Sequence, residues 1–275
     1  MDESTERSGI MTLLSDFGLR DSYVGQMKGV ILSITRSVQL VDLSHQVPPQ
    51  DVTEGAFQLA TAWRSFPPGT VHVAVIDPGV GTSRRPIAFR FDGHYFVLPD
   101  NGLCSFVIGE QQPEKVVLVD RPLARLPVVS STFHGRDLFS PAGAQLARGV
   151  ELGELGSEID PTSLVRLSFP VVESGNGWVR GPIVSIDRFG SCRTFIGPSD
   201  LPAPLDRVVV RCERAVVRGI VRTYADVSEG RTLALFGSYG GLEIAVRSGS
   251  AAKAWDLERG MTVEVSRSDE PRVAP

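Results

Sequence analysis

The sequence predicts an α/β N-terminal domain with a central, mostly parallel sheet, followed by a smaller all-β C-terminal domain. Three observations carry this. As far as Ile76, short β-branched runs alternate with amphipathic helical segments. Beyond Gly177 helical periodicity almost disappears, and short apolar runs are separated by Gly, Pro and Ser turns. Between the two regimes, Phe169 to Gly177 reads as a linker, with Pro170 and Glu173-Ser174-Gly175-Asn176-Gly177 as its markers. A βαβαβ run with short loops argues for parallel strands covered by helices. Evenly spaced short strands suit a small barrel or sandwich. The expected division is a loose tail at 1–9, the α/β domain at 10–168, the linker at 169–177, the β domain at 178–267 and a second loose tail at 268–275.

Ile10 to Leu14 is the first strand, broken by Ser15-Asp16-Phe17-Gly18. A helix is expected over Asp21 to Thr35, where Tyr23, Val24, Met27, Val30, Ile31 and Ile34 make one apolar face at spacings of three and four. Val38 to Leu43 is the next strand. Asp51 to Trp63 forms a second helix, with Val52, Ala56, Leu59, Ala60 and Trp63 on one side. Val71 to Ile76 follows and breaks into Asp77-Pro78-Gly79-Val80-Gly81-Thr82, a turn through which neither helix nor strand can continue. Ile87 to Phe91 and Tyr95 to Leu98 flank Asp92-Gly93, a hairpin signal. A short helix near Leu103 to Ile108, a strand at Val116 to Val119 and a helix from about Leu138 to Arg148 complete the domain. Gly149 stands where a helix-ending glycine is expected. In the second domain the strands are Trp178 to Ile186, Val208 to Cys212, Val216 to Arg222, Thr232 to Phe236, Leu242 to Val246 and Met261 to Val265.

Composition narrows the function classes. The chain has 275 residues, 42% of them hydrophobic and 22% charged, which describes a globular protein. A net charge of −4 gives no electrostatic case for nucleic acid or an anionic membrane. Cys104, Cys192 and Cys212 are widely spaced and form no CxxC pair, so neither a disulfide framework nor a zinc site is expected. The N-terminus is polar and acidic, unlike a signal peptide, and no apolar run is long enough to cross a bilayer. A cytoplasmic protein is the expectation.

Asp16, Asp77 and Asp100 each follow a strand and open a loop. The carboxyl ends of parallel strands gather along one edge, so these acids could converge there. Arg84 and Arg85 follow Asp77 closely. Converging carboxylates suit a metal or the diol of a ribose. His45, His72, His94 and His134 form no HxH, DxH or HExxH pattern, which argues against the metal. His134, in Phe133-His134-Gly135-Arg136-Asp137, is the histidine whose context looks most exposed, whereas His72 reads as a core residue. No GxGxxG, GxxxxGK[ST] or GxSxG occurs, so dinucleotide folds, phosphate loops and nucleophile elbows have no support.

Seven motifs stand in order. They are Leu14-Ser15-Asp16-Phe17-Gly18 with Asp21, Pro48-Pro49-Gln50-Asp51-Val52, Asp77-Pro78-Gly79-Val80-Gly81-Thr82, Pro99-Asp100-Asn101-Gly102, Thr132-Phe133-His134-Gly135-Arg136-Asp137, Ile186-Asp187-Arg188-Phe189-Gly190 and Leu242-Glu243-Ile244-Ala245. Together they resemble the S-adenosyl-L-methionine (SAM) hydroxide adenosyltransferases, the SAM hydrolases once called DUF62, which are relatives of the fluorinase and chlorinase. The resemblance spans about Ile10 to Val265. It implies a β-barrel C-terminal domain and a homotrimer, with SAM between the N-domain of one subunit and the C-domain of the next. It implies the reaction of SAM with water to give adenosine and L-methionine, with SAM as substrate and no cofactor.

By position, Asp77, Arg84 and His134 match the set that positions and activates the water. Asp16 matches the residue that holds the ribose hydroxyls. Asp21, Asp187 and Ser238 match positions around the methionine end. Fluorinases carry Tyr at the Asp77 position and Ser at the Gly135 position, so Asp77 and Gly135 favour the hydrolase. Ser191 stands where the family has an asparagine that helps read the adenine edge, and Phe195 replaces a second asparagine. A serine lacks the amide's paired donor and acceptor, so adenine recognition is where this chain departs from the pattern.

Attack at C5′ of a sulfonium expels a neutral thioether and needs no general acid. The water must lie in line and its proton must be accepted. Arg84 would supply fixed positive charge, with Arg85 the adjacent alternative, and Asp77 or His134 could take the proton. Three competing readings stay open: a halide-using relative, a non-catalytic SAM- or adenosine-binding trimer, and a metal-dependent hydrolase.

Overall fold

A computed structural model describes residues 7–121, 130–168 and 172–268. The chain forms two compact units, Met1–Leu167 and Ser168–Pro275.

The first unit is built on seven strands: β1 (Ile10–Ser15), β2 (Gln39–Ser44), β3 (Val71–Val75), β4 (Pro86–Phe91), β5 (His94–Pro99), β6 (Lys115–Leu118) and β7 (Glu158–Ile159). Their order in the sheet is β2-β1-β3-β5-β4-β6-β7. The first four of that order are parallel, and the β5–β4, β4–β6 and β6–β7 pairs are antiparallel. Both faces are covered, and the two-residue side-chain period of a strand decides which residue serves which side. Met11, Leu13, Val71, Val73 and Val75 pack with Met27 and Ile31 of α1 (Tyr23–Ile34) and Ala142 and Leu146 of α4 (Ser140–Ala147). Leu14, Ala74 and Ile76 face the other way, against Ala56 and Leu59 of α2 (Val52–Ala62) and Val107 and Ile108 of α3 (Ser105–Ile108). Gly143 lets α4 lie close to the sheet, since a Cβ there would meet Val73 Cγ2 at 2.6 Å. Asp92 and Gly93 both adopt left-handed φ, 49° and 75°, and form the expected tight turn between β4 and β5.

The α2 N-terminus is capped by Asp51, whose carboxylate accepts from Glu54 N–H at 3.0 Å. The last helix starts earlier than the sequence suggested. Gly135–Phe139 is a π-helical turn leading into α4, and both the amide and the hydroxyl of Ser140 donate to the Gly135 carbonyl. Gly149 ends α4 at φ 90°. Residues 1–6 and 269–275, within the two tails expected to be loose, lie outside the described residues. Arg7 is tied down, donating to the carbonyls of Leu146 (2.8 Å) and Val150 (3.2 Å).

In the second unit one sheet has the order β13-β12-β16-β9-β8 and the other β10-β11-β15-β14. The strands are β8 (Glu173–Gly175), β9 (Trp178–Pro182), β10 (Ser185–Ile186), β11 (Cys192–Arg193), β12 (Val208–Cys212), β13 (Ala215–Arg218), β14 (Thr232–Phe236), β15 (Leu242–Val246) and β16 (Thr262–Arg267). Both sheets face one core containing Val179, Val210, Val263 and Val265 from one side and Cys192, Ala234, Leu242 and Ile244 from the other. A five-residue helix, α5 (Ala251–Trp255), adds Ala251 to it. The sheets are joined by the chain and by a bridge. The chain passes from β9 to β10 through Ile183 and Val184, and Val221, just past β13, bridges to Leu235 of β14.

Two expectations change here. The single strand proposed over Trp178 to Ile186 is two, because Pro182 has no N–H to continue the ladder and the chain bends into the second sheet. Part of the proposed linker is a strand: Glu173–Gly175 pairs with β9 across Asn176-Gly177, with Gly177 at φ 83°. An Asn-Gly pair between two strands is the strongest short hairpin signal. Residues 169–171 of the proposed linker lie outside the described residues. No helix among the described residues is long and apolar enough to cross a membrane. Cys104, Cys192 and Cys212 are free and buried, and burial pushes the Cys104 and Cys192 thiols up to about 12.

Candidate active site

The carboxyl end of β3 delivers Asp77 into a loop that folds back on itself. Val80 N–H donates to Asp77 C=O at 3.2 Å and Thr82 N–H to Gly79 C=O at 3.1 Å. These two turns bring Arg84 back beside the acid seven residues earlier. Arg84 Nε lies 2.9 and 3.0 Å from the two Asp77 oxygens, and its Nη2 also donates to Oδ2. The same Nη2 reaches His134 Nδ1 at 2.7 Å. Close approach is tight at both glycines of the loop and demands glycine at Gly81. A Cβ on Gly79 would press on Arg84 Cγ at 3.2 Å, and one on Gly81, at φ 77°, would meet the Ser131 carbonyl at 2.8 Å. Ser131 belongs to the segment that carries His134, so Gly81 lets the two halves of the array meet.

That array defines a protonation state. A guanidinium has donors only, so Nδ1 of His134 must offer its lone pair and the hydrogen must sit on Nε2. Burial, followed by the charge of Arg84, holds the His134 pKa below its ordinary value and favours the same neutral ring. The His134 segment is fixed by Asp137, which accepts from Arg136 (2.6 and 2.9 Å) and from Ser130 N–H (2.7 Å). The Arg136 bond, outweighing burial, holds the Asp137 carboxyl below the usual range.

Asp16 stands in the turn after β1, next to β3 in the sheet. Its Oδ2 accepts from Gln50 N–H at 2.7 Å, and Gln50 holds a left-handed φ of 65° to present that N–H. Phe17, Tyr23 and Phe133 form a ring cluster with centroids 5.2 to 5.9 Å apart, joining the Asp16 turn to the His134 segment. Gly135 lies against it: a Cβ there would meet Phe17 at 3.1 Å and Phe133 at 3.3 Å. A serine at this position requires both rings to give way. Asp21 is exposed, two residues before α1.

Asp100 does not join the other two acids. It is 3% exposed, and its Oδ2 accepts from Arg85 Nε at 2.8 Å while Oδ1 accepts from Val165 N–H at 2.9 Å. Arg85 also reaches Ser163 Oγ at 3.0 Å and its carbonyl at 2.6 Å. Asp100 is thus withdrawn from the expected convergence of three carboxylates, and Arg85 is engaged by Asp100 rather than by Asp77. Neighbouring Asn101 donates to the Ile76 carbonyl at 2.8 Å and so fixes the peptide just before Asp77. Among the described residues no group of three or more His, Cys, Asp or Glu is placed to hold a metal ion. His72, read as a core residue, is fully buried between Thr12 (2.8 Å) and His94 (3.2 Å).

In the second unit Asp187 shapes the β10–β11 turn. Its Oδ1 accepts from Phe189 N–H and Ser191 N–H, both at 2.9 Å. Ser191 lines a pocket with Phe189, Tyr224, Val246, Ser248 and Gly249. Tyr224 donates to Glu243 Oε1 at 2.8 Å and is within hydrogen-bond reach of the Ser191 hydroxyl. Burial, with the Glu243 bond adding to it, pushes the Tyr224 hydroxyl up to about 12. Burial also raises the Glu243 carboxyl, against the opposing bond from Tyr224. Ser238 is exposed in the β14–β15 turn, where Gly237 N–H donates to the Gly241 carbonyl at 2.9 Å. Gln50, Asn101, Tyr224 and Glu243 were not singled out as site residues from the sequence. For Gln50, Asn101 and Glu243 the available signal was membership of the ordered motifs; Tyr224 had none.

Residues 11–156 match the SAM hydroxide adenosyltransferase N-terminal domain, and residues 181–264 match the C-terminal domain of the same family. An (R)-S-adenosyl-L-methionine hydrolase from Thermus thermophilus is 40% identical over 260 residues, covering 92% of this chain and 97% of the relative. One from Salinispora tropica is 36% identical, with 93% and 97% covered. A fluorinase from an Actinoplanes species is 30% identical, with 94% and 98% covered. Among solved structures, an uncharacterized conserved protein from Thermotoga maritima superposes with a TM-score of 0.87 at 34% identity, covering 94% of this chain and all of its own. With both domains matched in order and relatives aligned almost end to end, the chain belongs to the SAM hydroxide adenosyltransferase family.

Proposed function

We propose that this protein hydrolyses SAM to adenosine and L-methionine by in-line attack of water on C5′. The observation that carries the reading is the connected array of Asp77, Arg84 and His134 at the end of a central parallel strand. Full-length relatives named as (R)-S-adenosyl-L-methionine hydrolases support it. The leaving thioether is neutral, so the chemistry asks for no acid and no cofactor beyond the substrate. What it asks for is a nucleophile held in line and relieved of a proton.

In this reading the work is divided among the three residues. With Nδ1 engaged by Arg84, the hydrogen on His134 Nε2 can donate to the water oxygen and orient it, but this ring cannot take the water's proton. Asp77 keeps lone pairs beyond those used by Arg84, so its carboxylate is the assigned acceptor. Arg84 locks the acid in place and favours developing hydroxide character. The bond formed is water oxygen to C5′, the bond broken is C5′ to sulfur, and the second water proton stays on the adenosine 5′-hydroxyl.

In this reading Asp16 holds the ribose hydroxyls, and Asp21, Asp187 and Ser238 serve the methionine end. Ser191 sits at the adenine edge, and Tyr224 and Glu243 stand behind it in place of the family's asparagine. The enzyme works in the cytoplasm as a homotrimer with SAM held between subunits and with no nucleic-acid or membrane partner. The two C-terminal sheets, linked through β9–β10 and through Val221, act as one barrel. The test is to incubate the protein with SAM, with and without chloride and with and without a chelator, and to identify the nucleoside. Adenosine independent of both additions is expected. A 5′-halogenated nucleoside in chloride would replace the hydrolase with a halide-using enzyme. Chelator-sensitive turnover would demand a metal, and no product would leave a binding protein.

A further inference from the structure

The turn that carries Asp16 is gripped by a residue with no role in the assignments above. His45, at the end of β2, is 4% exposed. Its Nδ1 lies 2.7 Å from Ser15 Oγ. Its Nε2 lies 3.1 Å from Asp42 Oδ1, close enough to feel the charge although not aligned as a hydrogen bond. Asp42 Oδ2 in turn accepts from Lys28 Nζ at 2.6 Å. A carboxylate beside Nε2 favours the hydrogen on that nitrogen, which leaves Nδ1 to accept from the Ser15 hydroxyl. The Ser15 oxygen then turns a lone pair toward Phe17 N–H, 3.4 Å away. The His45 carbonyl accepts from Gly18 N–H at 2.7 Å. One residue therefore holds both ends of the Ser15–Gly18 turn, through its side chain and through its backbone, with Asp16 between the two anchors.

Asp42, His45 and Ser15 stand in the order of an acid, base and nucleophile triad. The Ser15 side chain has no route to a substrate, because the residue is 0% exposed. What the chain can do is orient. The other restraint on Asp16 is the Gln50 N–H, offered from a left-handed backbone that L residues rarely adopt. A turn held on both sides in this way fixes the direction of a carboxylate.

We propose that His45 is a positioning residue which, through Ser15 and Gly18, aims the Asp16 carboxylate and so sets selection for an intact ribose diol. The inference rests on the reading of Asp16 as the ribose-holding residue. Steady-state kinetics on SAM and on its 2′-deoxyribose analogue test it through the ratio of the two kcat/KM values. A site built to bond a substrate hydroxyl rejects the analogue lacking it, so the starting ratio is expected at about a hundredfold or more. His45→Ala is expected to bring the ratio to within about tenfold, raising KM for SAM more than it lowers kcat. His45→Asn, whose amide can bond Ser15 as Nδ1 does, is expected to restore most of the ratio.

Ser15→Ala removes only a hydroxyl from a buried position. It is expected to lower the ratio as His45→Ala does, and it decides the matter if His45→Ala fails to fold. Folded variants that melt earlier but keep the starting ratio would overturn the proposal, leaving His45 a packing residue. Serine-dependent hydrolysis of p-nitrophenyl acetate, lost in Ser15→Ala, would also overturn it. Asp16→Asn is measured in parallel. If it keeps the ratio, the reading of Asp16 fails; if it lowers the ratio while the His45 and Ser15 variants do not, only the positioning role fails.

Discussion

Arg84 and Arg85 are consecutive, each binds an aspartate that follows a parallel strand, and the two pairs end differently. Asp77 and Arg84 lead on to His134, a titratable ring. Asp100 and Arg85 lead to Ser163 and to the Val165 amide, groups that do not change charge. In the second pair the acid is closed off: the Asp100 side chain is 0% exposed, and the pair's bonds tie residues 163–165 to the sheet. In the first pair, among the described residues, His134 Nε2 has no hydrogen-bond partner and the Asp77 side chain bonds Arg84 alone. The residue types in the two pairs are the same. If Asp77 and Arg84 serve the water as proposed, what separates the two pairs is where the network leads, to a titratable ring or to fixed backbone and hydroxyl groups.

The sharpest way to break this comparison is to remove one partner of each pair in turn. Asp77→Ala is expected to keep SAM binding and to lose about a thousandfold in turnover, or about 4 kcal/mol of transition-state stabilisation. Adenosine release together with a binding titration measures both quantities. Undiminished release would erase the distinction between the pairs. Arg85→Ala should show the reverse pattern. It strands a buried carboxylate, which costs about 3 kcal/mol or more of stability, while turnover of the folded fraction stays within a few-fold. Denaturant unfolding alongside kcat checks it. A stable variant with little activity would mean that Arg85, not Arg84, serves the water.

Away from the site, the same logic of ring protonation reads out as stability. Burial, helped by the charge of neighbouring His94, pushes His72 down to about 3, so the folded protein keeps this ring neutral while the unfolded chain takes up a proton below the ordinary 6.5. The unfolded state then binds more protons, and stability falls as pH falls from 6.5 toward 3. The slope is about 1.4 kcal/mol per pH unit for this one group. His72→Phe, which still packs beside Phe96, should flatten that part of the unfolding-versus-pH curve.

How much of this was legible in the chain depended on how local the cause was. The alternation of Met11 and Leu13 with Leu14 and of Val73 with Ala74, and the helical face of Met27 and Ile31, are period effects, and they mark a sheet covered on both faces. Which arginine meets Asp77 was not legible. Adjacent residues in a loop have no period to assign them sides, and the decisive partners, His134 and Ser163, lie far along the chain. Asp100 looked like Asp77 for the same reason: its closing bond comes from Val165. The β8–β9 hairpin is a different case. Its Asn176-Gly177 signal was present, but Glu173, Ser174 and Gly175 are all exposed and polar or small, so the strand had no apolar stripe to announce it.

The π-helical turn at Gly135–Phe139 has a consequence for insertions and deletions. A π turn holds one residue more than the α turn it replaces. Removing one residue from this segment would let the chain relax into a continuous α-helix. Each helical residue spans about 100° of rotation, so His134 would swing about that far around the axis and leave Arg84. The loss would come with a smoother helix and no missing side chain from the site. The extra residue lets α4 stay seated by Gly143 on the sheet while His134 meets Arg84, and a chain one residue shorter here would lose that contact.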